Sequence, residues 1–170
     1  IPIQIVTISF FQFDSRTSRI WAFVQMAFAR IYLSQIEGLS FYKLFGTGSD
    51  EGFTFKFNPF TNSGVYAILA VWSDENNARN SILHSTIYRR YKIWSNKNWT
   101  IFLQPISVRG SWSGKSPFIV QDDNTSGEIV ALTRATIKFT TLMKFWKKVP
   151  DVQQLIRSDS NVLFKIGLGE

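Results

Sequence analysis

The run VYAILAVW, residues 65 to 72, leaves no room for a water-facing side. Eight residues rich in β-branched and aromatic side chains suit a strand better than a helix, and every position is apolar or amphipathic. A strand of this kind belongs inside a sheet that is covered on both faces. IQIVTISFFQF, residues 3 to 13, is a second run of the same character, closed by the polar DSRTS. LSFYKLFG (39 to 46) and WTIFLQPISV (99 to 108) read as two further strands, and Pro105 places the latter at an edge or a bulge.

Helical spacing fills the gaps between these strands. Ile20, Val24, Ala27 and Ile31 recur at helical intervals in a segment running to about residue 35, with Ser18 placed to cap its start and Gly38 to end it. Ser73 or Asp74 caps a second helix over 75 to 94. The order over residues 3 to 109 is therefore β-α-β-β-α-β, the split βαβ of a ferredoxin-like α+β unit, which buries one sheet face under two helices. The other face also needs a cover, and a second such sheet from a partner chain or a fused repeat supplies it in this architecture. After the polar stretch GSWSGKSPFIVQDDNTSG the order begins again, with a strand at 128 to 139, a helix at 140 to 157 interrupted at Pro150, and a strand at 161 to 168. The expected organisation is a first ferredoxin-like unit over 1–109, a linker over 110–127, and an incomplete second unit over 128–170.

Composition narrows the chemistry. With no cysteine and one histidine, disulfides, thiolate metal sites and an ordinary zinc site are excluded, and the absence of a GxSxG elbow argues against a serine triad. The loop GTGSDEGF lacks both phosphate-binding glycine patterns and precedes an extended segment, so nucleotide binding is rejected. The net charge of +7 and pI near 9.8 suit an anionic partner. The basic groups YRRYK (88 to 92) and KFWKK (144 to 148) lie on helices, where they face water, anionic lipid or an acidic protein. Aromatic residues occupy apolar strand and helix positions rather than these basic groups, which argues against nucleic acid as a partner. The N-terminal run lacks a basic leader, a small-residue cleavage site and the length of a membrane span, and reads as a first strand of a cytoplasmic protein.

Sixteen Phe, six Trp and five Tyr exceed what a core of this size needs, and the surplus suits a cavity for a flat or elongated apolar ligand. Phe53, Phe55, Phe57 and Phe60 either line an apolar entrance or pack as a flap on the sheet. Tyr66, Trp72 and Trp146 are the further candidates for contact with such a ligand.

YKLFGTGSDEGF, VYAILAVW, WTIFLQPISVRGSWSG, LTRATI, FWKKVP and NVLFKIGLGE follow one another over nearly the whole chain. In that order they resemble the spheroidene monooxygenases, carotenoid-oxygenating enzymes of bacterial pigment pathways, and their relatives of unassigned substrate. The resemblance implies a haem-dependent monooxygenase that inserts oxygen next to the methoxylated end of a linear carotenoid, with electrons from a ferredoxin-type donor. It also implies a fused pair of ferredoxin-like units of the dimeric α/β barrel kind, with the axial histidine on a helix of the second unit beyond the stretch matched here.

Within this chain His84 is the one histidine available to haem iron, on the helix of the first unit equivalent to the one expected to carry the ligand. Its other reading is a helix-surface residue. Arg134, in the strand-like GEIVALTRATIKF, shares a face with Val130, Leu132 and Thr136 and cannot lose its charge. It either meets a haem propionate or acts as a polarising group at a pocket between the two sheets, or it pairs with a carboxylate such as Asp14, Glu51 or Glu128. Lys165 poses the same question one strand over. The alternative to an enzyme is a non-catalytic α/β barrel module that binds an apolar ligand, a second copy or another subunit. A position peripheral to the inner membrane is compatible with either reading.

Overall fold

In the computed structural model, Ile5–Gln12 (β1) and Val65–Trp72 (β3) pair antiparallel, from Ile5 opposite Trp72 to Gln12 opposite Val65. The structure describes residues 3–46, 64–120, 127–134, 139–141, 158–164 and 166–170. Leu39–Gly46 (β2) flanks β3 and Lys97–Leu103 (β4) flanks β1, so the sheet order is β2-β3-β1-β4. Helix α1 (Arg16–Leu33) joins β1 to β2, and α2 (Glu75–His84) and α3 (Thr86–Trp94) join β3 to β4. This is the ferredoxin-like α+β arrangement expected from the order of elements, with the two most apolar runs at its centre.

Alternation along the strands divides the core. Phe11, Phe13, Tyr66, Ile68 and Trp72 face the helices and pack with Leu33, Ile82, Ile87, Tyr88 and Tyr91. Trp72 is fully buried, and its indole Nε1–H donates to Thr7 Oγ1 at 2.8 Å, so its one polar atom is satisfied. Entry into β3 requires glycine, because a Cβ on Gly64 would lie 2.0 Å from the carbonyl oxygen of Phe13.

Several local expectations shift. Helix α1 is capped by Ser15, whose Oγ accepts from Ser18 N at 3.1 Å, while Ser18 lies buried inside the first turn. The single helix expected over 75 to 94 is two, broken at Ser85, whose backbone is extended at φ −66° and ψ 146°. Lys92 Nζ donates to the carbonyl of Ile82 at 2.7 Å, satisfying an acceptor that the break leaves open. Strand β4 stops at Leu103, before Pro105, which has no N–H for a ladder.

The stripe Ile20, Val24, Ala27 and Ile31 points outward, and Ser18, Ala22, Gln25, Ala29 and Leu33 form the buried side of α1. Bulky rings from the sheet and α3 already fill the space beneath, so mostly small side chains fit there.

The second sheet face carries Val6, Ile8, Phe10, Phe45, Ala67, Leu69 and Val71. Trp112, Phe118 and Leu168 of the same chain lie over it. Here the strands expected over 128–139 and 161–168 are not formed in their described residues. Residues 128–134 form no strand, and the described residues of 161–168 join no ladder; the contact is a single bridge in which Gly46 and Gly169 exchange bonds of 2.9 and 2.8 Å. A strand persists only where a neighbour takes up its backbone groups, and the described strands exchange backbone bonds with this part of the chain only at the Gly46–Gly169 bridge. The expected helix over 140–157 lies outside the described residues apart from the end of a short 3-10 turn at Phe139–Thr141.

Candidate functional site

Above the second sheet face, near the end of β2, three charged side chains and an indole converge. Lys43 projects from β2 on this face and donates to Glu170 Oε1, and to Ser113 Oγ at 3.1 Å. Trp112 Nε1 donates to Glu170 Oε2 at 3.3 Å, and Arg134 Nε stands 3.7 Å from the same oxygen. The guanidinium carbon of Arg134 is 5.6 Å from the centroid of the Trp112 ring, a cation–π contact.

Trp112 is set by its own turn and by the rings below. Its backbone exchanges hydrogen bonds with Lys115 at 2.7 and 3.0 Å across Ser113 and Gly114. Both turn residues have positive φ, 53° and 73°, which explains a glycine in GSWSG. The indole then packs 5.9 Å from Phe41, 5.9 Å from Phe45 and 6.3 Å from Phe118, centroid to centroid. An aromatic wall thus stands beside a charged rim.

Burial by itself would raise the Glu170 carboxyl. Hydrogen bonds from Lys43 and Trp112, with the positive charges of Lys43 and Arg134, outweigh that and hold it below the usual carboxylate range. Among the described residues the rim therefore holds two cations, Lys43 and Arg134, against the Glu170 anion at neutral pH. An excess positive charge beside an aromatic wall can hold the polar end of an otherwise apolar molecule.

The residues singled out from sequence divide accordingly. Arg134 is in the cluster and, among the described residues, pairs with Glu170 rather than with Asp14 or Glu128. His84 is exposed at the end of α2, in the helical layer, across the sheet from Arg134. One planar cofactor cannot engage both. Tyr66 and Trp72, expected to contact substrate, lie in the packed helix-side core, where burial raises the Tyr66 phenol against the opposing charge of Arg19. Phe53, Phe55, Phe57, Phe60, Glu51, Trp146 and Lys165 lie outside the described residues.

Among the described residues no axial haem ligand stands beside Arg134, since Met26, Tyr42, Tyr66, Tyr88 and Tyr91 all pack on the helix side of the sheet. Iron needs an axial imidazole, thiolate, thioether or phenolate. The one histidine is on the wrong side of the sheet from Arg134, and burial pushes the Tyr88 and Tyr91 hydroxyls far up, away from the phenolate form. Among the described residues no three His, Asp or Glu side chains cluster as a metal site.

Lys43, Trp112 and Glu170 were not singled out from sequence as site residues. Their signal was nevertheless in the chain, since each lies in a separate segment: FYKLFG, GSWSG and KIGLGE, joined by LTRATI for Arg134. Only the fold brings one side chain from each of the four to a common point.

No family model matches the chain. It is 39% identical over 168 residues to the spheroidene monooxygenase of Cereibacter sphaeroides, covering 98% of this chain and 51% of that protein. It is 36% identical over 169 residues to that of Rhodobacter capsulatus, covering 98% of this chain and 68% of the relative. The chain belongs to the spheroidene monooxygenase family. It spans about half the length of the Cereibacter protein. Among solved structures, Rv0793 of Mycobacterium tuberculosis aligns at TM-score 0.45 and 11% identity, covering 63% of this chain and 99% of that one. SnoaB of Streptomyces nogalater, a cofactor-independent oxygenase, aligns at TM-score 0.39 and 11% identity, covering 65% and 98%.

Proposed function

We propose that the protein is a monooxygenase of the spheroidene monooxygenase type, acting on a linear carotenoid or a similarly long apolar molecule. In this reading the second sheet face and its aromatic cover receive the polyene, and Arg134 with Lys43 meets a polar end group. The observation that carries it is the meeting of Lys43, Trp112, Arg134 and Glu170, one from each of four family-like segments, over an apolar face. The reaction consumes dioxygen with two electrons and two protons; one oxygen atom enters the substrate and the other leaves as water. A ferredoxin-type protein supplies the electrons. The described residues offer haem no axial ligand beside Arg134, so an axial ligand belongs in this reading to residues outside those described. Expression in a host that accumulates a linear carotenoid, under isotopically heavy dioxygen, is the test. A carotenoid carrying one heavy oxygen atom is expected, and an unchanged pigment or label drawn from water overturns the proposal.

A second reading has its own support. Ile129 (73% exposed) and Leu163 (77%) leave the covering segments apolar on their outer side. Residues 128–170 are then the start of a second ferredoxin-like unit, and the face is a docking surface for a sheet or a second copy rather than a catalytic wall. Sedimentation velocity separates the two, because a docking surface predicts self-association that rises with concentration and no oxygenated pigment.

A further inference from the structure

Helix α1 is amphipathic the wrong way round for a water-facing helix. Its buried side includes Ser18 and Gln25, and Gln25 Oε1 has no hydrogen-bond partner among the described residues. Its outer side carries Ile20, Val24, Phe28 and Ile31, which are 41–56% exposed. A globular helix normally buries such side chains and turns its glutamine to solvent, so this face suits an apolar surrounding better than water.

The surface continues onto α3. Trp94 stacks on Trp21 of α1 with centroids 5.3 Å apart, and Arg90 lies 5.9 Å from the Trp21 ring and 5.5 Å from that of Tyr32. Ile93, beside Trp94, is 76% exposed. Tryptophan and tyrosine are the side chains that favour the boundary between water and hydrocarbon.

Charge selects the occupant. Arg16 and Arg30 on α1 and Arg89 and Arg90 on α3 are set in helices that contain no Asp or Glu. Two copies meeting through this face would bring like charges together, whereas anionic lipid headgroups would neutralise them. We propose that the outer face of α1 with the C-terminal end of α3 is an interfacial membrane-docking surface that lies flat on anionic bilayers. Among the described residues no helix is long and apolar enough to cross a membrane, so the contact is peripheral. This inference rests on the surface alone and does not depend on the oxygenation proposed above.

The test is flotation of the purified protein with vesicles of phosphatidylcholine alone or mixed with phosphatidylglycerol, at low and high salt. Binding to the anionic vesicles is expected, weaker on neutral ones and weakened by salt. The double substitution Phe28→Gln with Ile31→Gln should lower partitioning at least about tenfold without lowering the thermal midpoint, since both side chains are already exposed. Arg30→Gln with Arg89→Gln should lower binding on anionic vesicles by roughly tenfold and reduce the salt effect, leaving binding on neutral vesicles unchanged. Ile119→Gln, an exposed apolar change on the segment that covers the opposite sheet face, should leave binding unchanged. Binding that survives both double substitutions overturns the proposal. So does absence of vesicle binding: dimerisation abolished by the Phe28/Ile31 pair would assign the face to a second copy, and a non-binding monomer would leave it without a lipid role.

Discussion

Replacing Arg134 by Ala separates a binding arginine from a structural one. The guanidinium is 39% exposed and stands 3.7 Å from Glu170, so the ion pair falls in the exposed class, worth roughly 0.2–1 kcal/mol. Its contact with Trp112 adds about 0.5 kcal/mol at such exposure. No buried charge is stranded, because Lys43 and Trp112 still hold the Glu170 carboxylate. The total is about 1 kcal/mol, a fall of about 2–4 °C in the midpoint of a domain this size. A charge-assisted contact with a substrate end group is worth more, about 1.5–3 kcal/mol, or roughly tenfold to a hundredfold in Kd. The assay pairs a thermal melt followed by near-ultraviolet circular dichroism with a titration of solubilised linear carotenoid followed by tryptophan quenching. Arg134→Lys should fall between wild type and Ala in binding, since it keeps the charge and loses the fork. A midpoint lowered by more than about 10 °C with unaltered carotenoid binding would refute the assignment and make Arg134 a structural brace.

Glu170→Gln tests the rim from the other side. The folded-state pKa of Glu170 is depressed, so its contribution is present above the unfolded value near 4.3 and lost as pH falls through the folded one. Urea melts should show wild type more stable by about 1 kcal/mol at pH 7, with the gap closing on acidification; a gap of constant size down to pH 3 would contradict the paired carboxylate. Trp72→Ala should cost about 3–5 kcal/mol as a core truncation, and Trp72→Phe about 1–2 kcal/mol through the Thr7 hydroxyl left with a lost donor. Losses below about 1 kcal/mol, with altered carotenoid oxygenation, would return Trp72 to the substrate.

Most of the fold was legible in particular residues. VYAILAVW and IQIVTISFFQF demanded a doubly covered sheet centre, and β3 and β1 occupy it. The break at Ser85 was not legible, because neither proline nor glycine marks it and the outcome depends on where α2 and α3 pack. The direction of α1 was not legible either. Ile20, Val24, Ala27 and Ile31 form a convincing helical stripe, but which side a helix turns inward depends on the space the sheet leaves beneath it. At the site, the oddity of Arg134 in an apolar stretch was visible as a charge that needs a partner, while the identity of that partner was not.

By itself the sequence determined the order of β1 to β4 with their helices, the two apolar sheet faces and the resemblance to the spheroidene monooxygenases, because these depend on local period and on residue type. Tertiary structure alone decided that Lys43, Trp112, Arg134 and Glu170 meet. Lys43 and Glu170 are separated by 127 positions, and no local rule relates them. Their contact exists because the sheet places Lys43 on its second face and the Gly46–Gly169 bridge brings the following residue within reach of that ammonium group.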